Sequence, residues 1–180
     1  MSYPRAGNDA QRVDFLHSLR LLDNARSEAL DRITAMASTI FSVPTVTISL
    51  VDSERQWFAS HHGLDACETD RDVAFCNYTI MSDKIFEVTD ASVHPDFKDN
   101  PLVTGDLNLR YYCGTPLIVH DYRIGAFCLI DYQPRPALDE SQRQLCHHFA
   151  ELVCREIQMG RLVKEMNGTI MSLLNEAGSG

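Results

Sequence analysis

The chain has no run approaching the roughly 20 apolar residues that a membrane-spanning helix needs. Its opening stretch, Met1 to Asn8, is polar, holds Pro4 and Gly7, and carries no apolar signal core. A cytoplasmic location with no membrane partner is therefore expected. Basic residues are the minority: 16 Lys and Arg stand against 25 Asp and Glu, for a net charge of −9. No basic stripe interrupts that acidic surface, and phosphate backbones are repelled by it, so a nucleic-acid partner is not expected either. None of the six cysteines forms a CxxC pair. Without a secretory signal they do not read as a disulfide framework. P-loop, dinucleotide fingerprint and Ser-His-Asp set are all missing. With no catalytic constellation, the chain is read as a non-enzyme.

What is present fits one soluble domain plus an extra helix or two: 180 residues, 44 % hydrophobic and 23 % charged. Residues 1–9 read as a frayed tail. From Asp9 to Leu22 the apolar residues Val13, Leu16, Leu19 and Leu22 recur at helical spacing. A second helix is expected over 27–41, with Ser27 as N-cap and Leu30, Ile33, Ala37, Ile40 and Phe41 as its buried stripe. Pro44 ends it.

Residues 45–51 alternate, with Val46, Ile48 and Leu50 facing one way and Thr45, Thr47 and Ser49 the other. They should pair as a hairpin with 56–62, which carries the single tryptophan, Trp57. Residues 63–72 are polar and irregular, 73–82 read as a short amphipathic helix, and 85–88 as a brief strand. Residues 90–106 lack periodicity and hold Pro95, Pro101 and Gly105. A long irregular stretch in a compact domain is usually functional, and this one is taken as a lid. Strands 111–119 and 124–131 flank the tetrapeptide His120-Asp121-Tyr122-Arg123, and the second, apolar on both faces, should be central.

The last helix opens at a capping box, Asp139 with Gln142, and should run to about Leu174. Along it Leu145, Phe149, Leu152, Met159, Val163, Met166, Ile170 and Leu173 alternate spacings of three and four. That seam predicts packing on the sheet before about Ile157 and coiled-coil pairing after it. Gly178-Ser179-Gly180 reads as a flexible end. The sum is an α+β fold: a central antiparallel sheet with the N- and C-terminal helices on one face and a ligand pocket under a loop and short-helix lid on the other.

Several segments in this order resemble the GAF domain of bacterial signalling proteins. They include Ser49-Leu50-Val51-Asp52, Arg55-Gln56-Trp57-Phe58, Arg71-Asp72-Val73-Ala74-Phe75-Cys76 and Val88-Thr89-Asp90-Ala91. His94-Pro95-Asp96-Phe97, Asp99-Asn100-Pro101-Leu102-Val103, Tyr111-Tyr112-Cys113-Gly114-Thr115-Pro116-Leu117 and Ile124-Gly125-Ala126-Phe127-Cys128-Leu129-Ile130-Asp131 continue the series. The resemblance implies a GAF/PAS-like domain over 10–157, after a disordered tail 1–9 and before a helical connector 158–180. It implies a regulatory unit that binds a small molecule and signals through the terminal helix. Homodimerisation through the terminal helices and an output domain, a kinase or a cyclic-di-GMP enzyme, are the partners it suggests. Members bind cyclic nucleotides, bilins, haem or small metabolites, or nothing detectable, so the cofactor is unknown.

The ligand-binding candidates are Phe75, Cys76, Tyr78, Asp90, Phe97, Asn100, Leu102, Tyr112, Thr115 and Cys128, with Trp57 more distant. The rings and Leu would wall a pocket, and Asp90, Asn100, Thr115 and the Tyr hydroxyls would fix a polar ligand. The same side chains would equally serve to fill the space themselves, and Asp90 and Asn100 to cap turns of the lid. Bilin attachment in the family uses a cysteine beside His or Tyr. Cys146-His147-His148 lies on the terminal helix, on the wrong side of the sheet for that role. Adjacent helix residues point about 100° apart and seldom share a metal, so no metal site is expected there or at His61-His62. Two alternatives stay open: a dimerisation module without ligand, and a thiol sensor resembling free methionine sulfoxide reductase. The lid 90–109 holds no cysteine, which argues against the enzyme.

Overall fold

Alternation of β-branched and aliphatic residues makes Thr45–Val51 the strand β1, and all seven of its residues are buried. A strand covered on both faces sits in the middle of a sheet. In the computed structural model, which describes residues 3–24 and 27–177 with side chains as far as 171, β1 lies between β2 (Arg55–His62) and β6 (Tyr122–Asp131). β3 (Glu68–Asp70), β4 (Phe86–Val88) and β5 (Tyr111–Val119) complete a six-stranded antiparallel sheet in the order β3-β2-β1-β6-β5-β4. β1 and β6 are held close at Gly125, where a Cβ would be driven into the carbonyl of Ser49.

One face of the sheet carries Val46, Ile48, Leu50, Leu117, Phe127 and Leu129, and the helices α1 (Asp9–Ser18), α2 (Glu28–Phe41) and α5 (Glu140–Ala177) pack on it. The opposite face carries Val51, Tyr112, Ala126 and Cys128. It is covered by a 3-10 turn (Arg71–Val73), α3 (Cys76–Thr79) and a lid containing α4 (Pro101–Thr104). The α+β architecture, with a pair of apolar layers about one sheet, matches the sequence expectation. Among the described residues no helix is long and apolar enough to cross a membrane.

Several elements differ in detail. Helix α1 ends at Ser18 rather than Leu22, and Arg20 and Asp23 adopt left-handed backbone angles. Asp9, expected at the end of a loose tail, is tied to Arg12 and Arg71. β3 arises in the stretch 63–72 that shows no strand pattern, its register set by Arg55↔Asp70 and Trp57↔Glu68. The amphipathic helix expected over 73–82 shrinks to α3, because the Asn77 side chain donates to the Arg71 and Ala74 carbonyls and holds the chain in a turn. The β5–β6 turn needs only His120 and Asp121, both with positive φ.

Ser27 does cap α2, accepting from the Leu30 amide at 3.4 Å. Ile40, however, is 54 % exposed, as is Met36 at 48 %. The opposite flank of α2 turns toward β2, where Asp31 and Thr34 bond Ser60. The capping box of α5 forms in both directions: the Gln142 amide donates to Asp139 at 2.8 Å, and the Asp139 amide donates to Gln142 Oε1 at 3.0 Å.

The stripe of α5 that packs on the sheet is Cys146, Phe149, Ala150, Val153 and Ile157. Leu152 is not part of it; with Met159, Val163, Met166 and Ile170 it forms a second, exposed stripe turned roughly a third of a turn away. The packing and outward faces are therefore different faces of one helix, instead of successive halves of a single seam. The side chain of Leu173, and Met1, Ser2 and Gly178-Ser179-Gly180, lie outside the described residues.

Candidate functional site

The lid face is built by parity. Along β5 and β6, Tyr112, Ala126 and Cys128 point toward the lid, while Tyr111, Cys113 and Phe127 point toward the helices. From the lid side, α3 brings Cys76 down and Phe75 just before it. The lid contributes Phe97, and its turn is fixed by Asn100, whose Oδ1 accepts from the Leu102 amide at 2.8 Å. The Asn100 amide group also donates to the Val73 carbonyl at 3.0 Å, tying lid to 3-10 turn.

Between sheet and lid the candidates meet one another. Phe75 stacks on Phe97 with centroids 4.0 Å apart and lies 5.2 Å from Tyr112. Tyr78 meets Phe97 edge-on at 4.7 Å. Beneath the rings, the Tyr112 hydroxyl lies 2.7 Å from Thr79 Oγ1 and 3.2 Å from Cys76 Sγ. Cys76 and Cys128 sulfurs are 3.5 Å apart, and Ser49 Oγ is 3.8 Å from Cys128. Burial pushes the Cys76 thiol and the Tyr112 phenol well up. Burial acts the same way on Cys128, but hydrogen bonds from Cys76, Tyr112, Thr47 and Ser49 outweigh it and draw that thiol down.

Phe75, Cys76, Phe97, Tyr112 and Cys128 are thus brought into one buried cluster, with Tyr78 and Leu102 packed at its edge. Asp90 stands apart, its carboxylate accepting from the amide and hydroxyl of Ser92 at a turn of the lid. Thr115 is not brought to the set at all. Odd positions of β5 face the helices, and Thr115 pairs across the sheet with Phe127 of the helix-side core. Trp57 also lies on the helix side.

Thr79 and Phe86 belong to the cluster and were not singled out from the sequence; Phe86 stacks on Tyr78 at 5.5 Å. The amphipathic pattern of 73–82 carries the signal for Thr79, at the position facing Tyr112. Outside the cluster, Tyr78, Phe97 and Asn100 line a cleft of about 300 Å³ together with Tyr3, Asp72, Asp96 and Asp99. Among the described residues no three His, Cys, Asp or Glu side chains are grouped to hold a metal. On α5, Cys146 is buried in the core while His147 and His148 are exposed.

Known proteins give this geometry a context. A family model described as GAF domain matches residues 25–157. A cyclic di-GMP phosphodiesterase of Pseudomonas aeruginosa is 37 % identical over 155 residues, which are 86 % of this chain and 26 % of that protein. The chain therefore spans about a quarter of that relative's length.

Among solved structures, the GAF domain of an Acinetobacter phosphoenolpyruvate-protein phosphotransferase superposes with a TM-score of 0.64 at 14 % identity, covering 88 % of this chain and 98 % of that one. A free methionine-R-sulfoxide reductase from Neisseria meningitidis gives 0.62 at 18 % identity, covering 91 % and 98 %. A domain of a sensor histidine kinase protein from Sinorhizobium meliloti gives 0.61 at 16 % identity, covering 81 % and 99 %. At these identities the likeness is one of fold.

Proposed function

The chain belongs to the GAF domain family, and from that premise we propose that it is a sensory regulator: it binds a small molecule between sheet and lid and passes the change through α5 to an output domain or partner. GAF domains are generally regulatory, and the relative from Pseudomonas is named a cyclic di-GMP phosphodiesterase. An enzyme of that class, or a kinase, is the output proposed here. We take the sensory module as residues 10–157 and the connector as 158–180.

The observation that carries the reading is the helix itself. α5 is anchored by Cys146, Phe149, Val153 and Ile157, then continues to Ala177 with Met159, Val163, Met166 and Ile170 exposed along one side. Exposed apolar residues at heptad spacing favour a partner helix, and a second copy of this chain supplies one. Met36 and Ile40 are likewise exposed, on the flank of α2 away from β2.

The ligand set proposed is Phe75, Cys76, Tyr78, Phe97, Asn100, Leu102, Tyr112 and Cys128, with Asp90 at the lid's turn. A second reading has its own observation: Phe75, Phe97 and Tyr112 fill the space under the lid, as a dimerising module without ligand would require. Native mass spectrometry separates the two. A dimer carrying a reproducible non-covalent mass supports the sensor; a dimer without added mass supports the second reading. A Val163→Asp, Met166→Asp double variant should run as a monomer, and an unchanged solution mass would sink the pairing.

A further inference from the structure

On the helix side of the sheet, away from the lid, the inner stripe of α5 changes character after Ile157. The next inward positions are Gly160, Arg161 and Lys164, and they stand over a cleft of about 220 Å³. Its floor and walls include Leu21, Leu30 and Trp57, with Glu156 the acidic member of the lining.

Gly160 is the residue that needs an explanation. It sits in the interior of a helix, where glycine is the poorest choice short of proline. Its backbone does not require glycine, and a Cβ built on it would meet no atom within 4 Å. Neither a close helix crossing nor a turn accounts for it. What glycine does there is leave open the space that a Leu, continuing the run Val153 and Ile157, would fill.

The space is apolar below and cationic above. An enclosed apolar cavity of about 150 Å³ holds benzene, and this cleft, larger and open to solvent on one side, suits a short alkyl body. Arg161 and Lys164 stand at its rim, where Glu156 is the acidic residue among the described lining. Arg161 is shared with Glu165, at 2.7 Å.

We propose that this cleft is a second ligand site, distinct from the space under the lid, and that it takes an amphipathic carboxylate whose apolar body lies on Leu30 and Trp57 while its head group meets Arg161 and Lys164. The occupant would bridge Leu21 and Leu30 to α5 at the point where the helix leaves the core. The proposal stands whether or not the lid side binds anything.

Trp57 is the only tryptophan in the chain and lines this cleft, so its fluorescence reports on a wall of the site. The purified chain is titrated with sodium octanoate, and in parallel with octanol and octyltrimethylammonium. A saturable emission change is expected with octanoate and not with the ammonium compound. An Arg161→Gln, Lys164→Gln double variant should weaken octanoate by about tenfold, toward the behaviour of octanol, since a charge-assisted contact is lost. Gly160→Leu should abolish the response while circular dichroism shows α5 intact and Tm at or above the parent's. Three results overturn the proposal: no saturable change with octanoate, an equal response to the ammonium compound, or a response that survives Gly160→Leu.

Discussion

The guanidinium of Arg71, 1 % exposed, donates to the carboxylate of Asp9 at 2.8 Å across 62 positions of sequence. The same Asp9 oxygen accepts from Nε of buried Arg12 at 2.9 Å, whose Nη1 donates to the Val51 carbonyl. Arg71 also donates to Asn77 of α3 at 3.0 Å, so one carboxylate joins the first helix, the central strand and the cover of the lid face.

Burial disfavours the charged form of Asp9, but the hydrogen bonds and charges of Arg71 and Arg12 outweigh it and hold the carboxyl below its usual range. A depressed folded-state pKa gives stability that is present above the unfolded value near 3.9 and is lost as pH falls through the folded one. Urea midpoints should therefore hold from pH 7 to about pH 5 and fall below about pH 4. Asp9→Asn leaves two buried cations without their partner and should cost about 3 kcal/mol at pH 7. It should also flatten the acid limb of the pH curve, and an acid limb identical to the parent's would refute the assignment.

Phe97 is 1 % exposed and is enclosed by Phe75, Tyr78, Phe86 and His94. Phe97→Ala should cost about 3–5 kcal/mol by chemical denaturation. Because the ring fills the lid side, the same variant should also gain uptake of a small apolar probe such as benzene, read as a rise in Tm with probe concentration.

Thiol titration with a disulfide reagent should show one fast cysteine, Cys67, the exposed one. Cys76, Cys113, Cys128 and Cys146 are buried and should react only on unfolding. Cys154, half-buried and with its thiol pushed up to about 11 by burial, should react slowly at pH 8. Loss of the fast phase in Cys67→Ser is the check, and any fast thiol remaining in that variant would contradict the burial of the others.

Two glycines should answer oppositely to alanine. At Gly125 the added methyl meets the Ser49 and Leu50 backbone of the neighbouring strand, which cannot yield, and the cost should be several kcal/mol. At Gly160 nothing is met and helix propensity improves, so Tm should rise by the equivalent of about 1 kcal/mol. Parallel thermal melts of the two variants decide both.

How much of this could be read in advance depended on whether a pattern was one-dimensional. β1 and the capping box of α5 were legible because alternation and the Asp139–Gln142 spacing are local. β3 was not, since Glu68-Thr69-Asp70 shows no apolar alternation and exists as a strand only because Arg55, Gln56 and Trp57 lie alongside. The buried Arg12 and Arg71 were equally hidden, because only folding places Asp9 between them. Ile40 and Leu152 are as apolar as any core residue, and periodicity cannot tell a face turned to the sheet from one turned outward. In the site, the cluster of Phe75, Cys76, Phe97, Tyr112 and Cys128 was foreseen from segment order. Thr115 was grouped with it as a hydroxyl able to fix a polar ligand, but it lies three steps from Tyr112 along β5, and three steps along a strand reverse the face.

The root and the far end of α5 are mechanically unequal. Some 20 residues follow Ile157 as one continuous helix, a rod of about 30 Å held at its root by the roughly five turns from Glu140 to Ile157. A tilt of about 10° at that root, which the packing of a few side chains on β5 and β6 decides, moves the tip by about 5 Å. The helix has the proportions of a lever: a shift of about 1 Å between Val153 and Ile157 corresponds to a displacement at the far end comparable with one helical turn, without any bending of the shaft.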